Sequence, residues 1–223
     1  KMKVLNQFEC GVKDEDATEI NNSNANRDVN TEKCVSFYYE VDYNLYLNNG
    51  SNVTTTTNWM TSVSNNVQTL FNNDGITTAL KSIFVWTVTD PYTSMPSGST
   101  SGDYLGTFAQ NRPVFNGDVG MLVGIDPGGL GGVAYLNSVC GQSNYAYSDV
   151  NFSYATVPTY SWTVQVMTHE FGHSLGSPHT HGCYWNGNST SIDGCGQQAG
   201  YTEGTCAQGP IPTTTVKGTI MSY

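Results

Sequence analysis

Apolar positions recur with two different periods along this chain. In VTTTTNWMTSVSNNVQTLFNN, residues 53–73, Trp59, Met60, Val63, Val67, Leu70 and Phe71 return at three- and four-residue intervals. That spacing predicts an amphipathic helix, with the Thr54–Thr57 run as the source of its N-cap. Branched and aromatic residues instead cluster in VSFYYEVDYNLYL (35–47), LKSIFVWTVTD (80–90), DVGMLVGI (118–125), GGVAYLNSV (131–139) and Tyr145–Val150. These read as strands, and the glycines at 131 and 132 suggest a close backbone approach. Tyr92–Gly102 is rich in Ser, Pro and Gly and reads as a loop, followed by a helical or irregular patch. A second helix is expected over about 160–176, with Trp162, Val166, Phe171 and Leu175 facing a sheet. Strand, helix, strand in succession implies a crossover and a parallel pair, hence an α/β fold. Residues 1–33 are polar and Asn-rich and read as an irregular lead, while the chain past Gly176 shows little regular pattern.

The balance of charge narrows the partners. With 8 Lys+Arg against 18 Asp+Glu, net charge is −10. Such a chain repels phosphate backbones and anionic lipid surfaces, which excludes nucleic acid and peripheral membrane binding as first readings. No apolar run is long enough for a membrane span. The start at Lys1, with no initiator Met, suits a mature fragment of a longer precursor.

Six cysteines occur, at 10, 34, 140, 183, 195 and 206, with no CxxC pair. An even number in an acidic, Asn/Thr-rich chain favours disulfides and a secreted protein. The pairing expected is Cys10 with Cys34, leaving Cys140, Cys183, Cys195 and Cys206 to bridge the C-terminal part. A second role stays open for Cys10, as a thiolate that occupies a metal's vacant position and holds an enzyme latent. Sequons at Asn49, Asn52, Asn151 and Asn188 do not identify a host.

All four histidines fall in HEFGHSLGSPHTH: His169, His173, His179 and His181. His169 and His173 stand four apart, so on a helix they lie one turn above the other and can grip one ion. Glu170 occupies the position of a general base, and Gly176 lets the chain leave the helix so that His179 can return as a third ligand. Three protein ligands leave zinc an open position for water, the mark of a catalytic site. His181 as a fourth ligand would instead close the site and make it structural; otherwise it lies beside the site or on the surface.

HEFGHSLGSPH fits H-E-x-x-H-x-x-G-x-x-H throughout, and GTIMSY at 218–223 adds a methionine turn. The chain thus resembles the metzincin clan of zinc endopeptidases, most nearly the secreted bacterial reprolysin-like (adamalysin-related) peptidases. Thr180 departs from the Asp that many adamalysins carry there. Tyr223, two residues after Met221, is instead similar to the tyrosine of astacins and serralysins.

The resemblance implies a catalytic domain with a twisted, mostly parallel sheet of about five strands and an active-site helix. One domain over 1–223 is expected, with an N-terminal subdomain at 34–176. A small, loop-rich C-terminal subdomain at 177–223 would stop soon after the methionine turn. It implies zinc on His169, His173 and His179, with Glu170 as the base that takes a proton from the attacking water. Met221 would floor the site, and Tyr223 would donate to the reacting oxyanion or simply pack in the core. An edge strand, GGVAYLNSV, would pair with an extended peptide. Protein or peptide substrates, a monomer and extracellular action follow. Calcium is a further cofactor expectation, at Asp14–Asp16 or Asp126.

Overall fold

The computed structural model of the chain describes residues 34–125, 129, 131–139 and 141–222. They fall into two compact units, 34–175 and 176–222.

The first unit is built on a five-stranded sheet. Its strands are β1 (Val35–Val41), β2 (Thr78–Val85), β3 (Val119–Gly124), β4 (Gly132–Ala134) and β5 (Tyr145–Asp149), in the order β2-β1-β3-β5-β4. All neighbours are parallel except β4, which runs antiparallel to β5 at the edge. The expected α/β class and mostly parallel sheet are therefore present. Among the described residues the first unit has four helices, α1 (Tyr43–Asn48), α2 (Val53–Asn73), α3 (Ser101–Asn111) and α4 (Trp162–Ser174), and the second unit has α5 (Cys195–Gln198).

Period-two alternation divides the sheet's side chains between two cores. Phe37, Tyr39, Val41, Val119, Met121, Val123 and Ala146 join α2 and α4 in the larger core. Tyr38, Leu122, Val133, Tyr145 and Tyr147 join Tyr104, Leu105 and Phe108 of α3 on the other face. A sheet covered on both faces explains why β3 and β5 are buried at every position.

The expected positions for α2 and α4 hold, and Val166 and Phe171 are buried with Trp162 and Leu175 packed against them. Three details differ. The run 35–47 is not one strand: Asp42 accepts from the Leu45 N–H at 2.6 Å and starts α1, ending β1 at Val41. The cap of α2 is Asn52, not a threonine of the 54–57 run, because its side chain accepts from Thr55 N–H. In 131–139 only Gly132–Ala134 is strand. Beyond it Asn137 takes positive φ, and the N–H groups of Asn137 and Ser138 donate to the last carbonyls of α4, at His173 and Ser174.

The side chain of Glu40, on β1, is fully buried. Its carboxylate accepts hydrogen bonds from Tyr38 Oη, Trp86 Nε1, Tyr92 Oη and Arg112 Nε, the last at 2.6 Å. Burial pushes the Tyr38 and Tyr92 hydroxyls well above the usual tyrosine range, and the Glu40 charge pushes them further.

The second unit has little regular structure. Besides α5 it contains an isolated antiparallel bridge between Trp185 and Thr190 and a disulfide, Cys183–Cys206. Among the described residues Cys34 and Cys195 are free thiols, while the expected Cys10–Cys34 bridge involves a residue outside them. Pairing depends on which Cα atoms the tertiary fold brings near, which spacing does not encode. Cys10 and Cys140 lie outside the described residues, and the latency role for Cys10 lies there too.

Candidate metal centre

Helix α4 carries the first part of the histidine motif. Phe171 anchors it: its ring stacks on Phe37 of β1 with centroids 3.9 Å apart and planes within 10°. Val164, Val166 and Met167 are buried in the same core. Burying side chains of this size contributes about 1.5–3 kcal/mol each, enough to fix which way the helix is turned. At 100° per residue, His169 and His173 then share one face. Both are fully buried, and their Nε2 atoms stand 3.0 Å apart with the rings edge to face. Two ring nitrogens brought this close on a buried helix suit a divalent cation as common partner.

Glu170 is also fully buried. Its carboxylate lies against the backbone of Gly132 in the edge strand, where an added Cβ would overlap Oε1. The glycine suspected of a close approach is therefore the one that leaves room for the candidate base. Gly176, with φ 98°, follows the C-cap Leu175 in the left-handed conformation that ends a helix without strain.

In the second unit His179 and His181 are both fully buried, with stacked rings 4.9 Å apart. The Nδ1 atom of His179 lies 2.9 Å from each carboxylate oxygen of Glu203. His181 Nε2 stands 3.5 Å from Glu203 Oε1, so this residue is a buried neighbour of His179 rather than a surface group. The N–H of Thr180 donates to the Met221 carbonyl at 2.9 Å, tying the residue after His179 to the methionine turn.

Thr180, where this chain departs from many adamalysins, is hydrogen-bonded to a carboxylate further along the chain. Asp193 accepts from Thr180 Oγ1 at 2.6 Å, Ser222 Oγ at 2.8 Å and Cys195 N–H at 2.9 Å. Burial pushes its carboxyl up, but these hydrogen bonds outweigh burial and hold it below the usual aspartate range. Met221 is half-buried; Tyr223, Asp14–Asp16 and Asp126 lie outside the described residues.

Sequence reasoning overlooked Asp193 and Glu203, although a signal was present. They are the only two acids in residues 176–223, in a stretch whose buried polar groups needed partners.

Among solved structures, one described as "Structure of a chaperone-substrate complex" is similar at 14% identity with TM-score 0.48. It covers 67% of this chain, which spans 24% of that one. The family model Reprolysin_5, metallo-peptidase family M12, matches residues 30–223. With the motif, the sheet and the buried histidines in agreement, the chain belongs to metallo-peptidase family M12, the reprolysin-type zinc endopeptidases of the metzincin clan.

Proposed function

We propose that this chain is the catalytic domain of a secreted, monomeric endopeptidase in which His169, His173 and His179 hold one zinc and Glu170 is the general base. The observation that carries the reading is the buried pair of Nε2 atoms on α4, 3.0 Å apart, with Glu170 beside the first of them in the chain. His179 offers a third imidazole whose Nδ1 is already engaged, which leaves Nε2 as its ligand atom. Bound there, zinc supplies a Lewis acid that polarises a peptide carbonyl and makes water acidic enough to attack near neutral pH.

The chain's own groups do the rest. Glu170 takes the proton from the attacking water and returns it to the leaving nitrogen. Its burial keeps bulk water from competing for that proton. Tyr223 donates a hydrogen bond to the oxyanion, and Met221 forms an apolar floor beneath the histidines. Gly132–Ala134, at the sheet edge and antiparallel to β5, is the template on which an extended peptide pairs through its backbone. Main-chain pairing accepts many sequences, so the substrates are proteins and peptides read broadly. Action outside the cell is supported by the Cys183–Cys206 disulfide, and no described helix is long and apolar enough to cross a membrane.

Casein or gelatin cleavage with and without a chelator tests the reading, together with Glu170→Ala. Cleavage should stop on chelation and return with zinc. Glu170→Ala should lose about 10²–10⁴-fold in turnover while metal analysis still finds one zinc. Chelator-insensitive cleavage, or full activity in the variant, overturns it.

A further inference from the structure

The third histidine does not ride on a helix, so its ring must be aimed by something else. In residues 176–222 that role falls to Glu203. Both of its oxygens lie 2.9 Å from His179 Nδ1. An ionised carboxylate only accepts hydrogen bonds, so the attraction requires the proton on Nδ1. The Nε2 atom then carries the lone pair, which is the form a metal binds. The His179 backbone is held as well, because Trp185 Nε1 donates to its carbonyl at 2.7 Å.

Glu203 is itself kept in place by a covalent link. Cys183 stands four residues after His179 and Cys206 three after Glu203, and these two cysteines are bonded. Gly204, next to Glu203, has φ 79°, and a Cβ there would collide with Cys183 Sγ. The Glu203 segment can lie this close to the bridge only because residue 204 is glycine. His181 stacks on the His179 ring and limits its rotation.

We propose that Glu203 is a positioning residue of the metal site: it accepts the Nδ1 proton of His179, fixes the tautomer that presents Nε2, and is held there by the Cys183–Cys206 disulfide. The inference rests on the zinc reading above, with His179 as a ligand.

The experiment is zinc affinity by chelator competition on the purified chain, for wild type, Glu203→Ala, Glu203→Gln and His179→Ala. Glu203→Ala should bind zinc about 10–100-fold more weakly, with one zinc still bound at saturation and an unchanged metal-free melting temperature. Glu203→Gln, whose amide oxygen can still accept from Nδ1, should recover most of that loss. A purely structural role would lower the melting temperature and leave no such rescue. Reducing the disulfide should weaken zinc binding in wild type and add little in Glu203→Ala, because both act through one contact. If the alanine variant does not fold, Glu203→Met, of similar length but without an acceptor, takes its place.

Wild-type affinity in Glu203→Ala alongside a loss in His179→Ala overturns the positioning role and leaves the zinc reading standing. Two zinc ions in wild type, one of them lost in Glu203→Ala, would make Glu203 a ligand and overturn it too. Wild-type affinity in His179→Ala sinks the zinc reading itself.

Discussion

In residues 34–175 two histidines are aimed by a helix whose apolar face is locked into a sheet, through contacts such as Phe171 on Phe37. In residues 176–222 the neighbouring histidine is aimed by a carboxylate, a tryptophan N–H and a disulfide-bracketed loop. The first device is apolar and periodic, distributed over many side chains. The second is polar and discrete, and each partner matters singly. A domain that uses both should fail differently when each is disturbed.

The largest effect is expected in the first unit, at the buried charge cluster around Glu40. Glu40→Ala leaves Arg112, Tyr38, Tyr92 and Trp86 without the acceptor they share. Losing one partner of a buried ion pair costs about 3–5 kcal/mol, to be read from chemical denaturation. A loss below ~1 kcal/mol, the range of exposed pairs, would mean that the cluster behaves as a surface pair.

Reduction of Cys183–Cys206 comes next and separates the two regions. A bridge of this kind contributes about 2–5 kcal/mol. Hydrogen exchange should show protection lost locally, around Cys183 and around Glu203–Cys206, and retained in β1, β3 and α4. Equal loss across both units would show that they share one source of stability.

The smallest effect is the titration of Asp193. Its folded pKa is lowered, because hydrogen bonds from Thr180, Cys195 and Ser222 favour the charged form over the cost of burial. The stabilisation is therefore complete above the unfolded value, near pH 4, and is lost as pH falls through the lower folded value. Hydrogen bonds to a charged group contribute about 1.5–3 kcal/mol, so Asp193→Asn should be weaker than wild type by up to that much at pH 6. The gap should narrow as pH falls below the unfolded value and through the lower folded one. A gap that does not change with pH would assign the effect to packing.

The two regions also differed in how far they could be read in advance. Helix α2 was legible in its body and at its C-terminal end, because Trp59, Met60, Val63 and Val67 mark a period that only a helix satisfies; its cap at Asn52 was not. Strand β3 was legible because it is buried on both faces and so is free of polar side chains. The strand assigned to 35–47 failed at Asp42, where one capping hydrogen bond outweighed the β propensity of Tyr43–Leu47. The choice of Cys206 as partner of Cys183 was not legible, because spacing carries no distance.

By itself, the sequence determined the α/β class, the helix that carries His169, Glu170 and His173, and the family, because periodicity and motif spacing are local quantities. Only the tertiary structure decided that Gly132 makes room for Glu170, that Asp193 accepts from Thr180, and that Glu203 meets His179 from 24 positions away. Those contacts join residues with no periodic relation. They exist because buried polar groups must find partners, and the chain's path determines which partners are in reach.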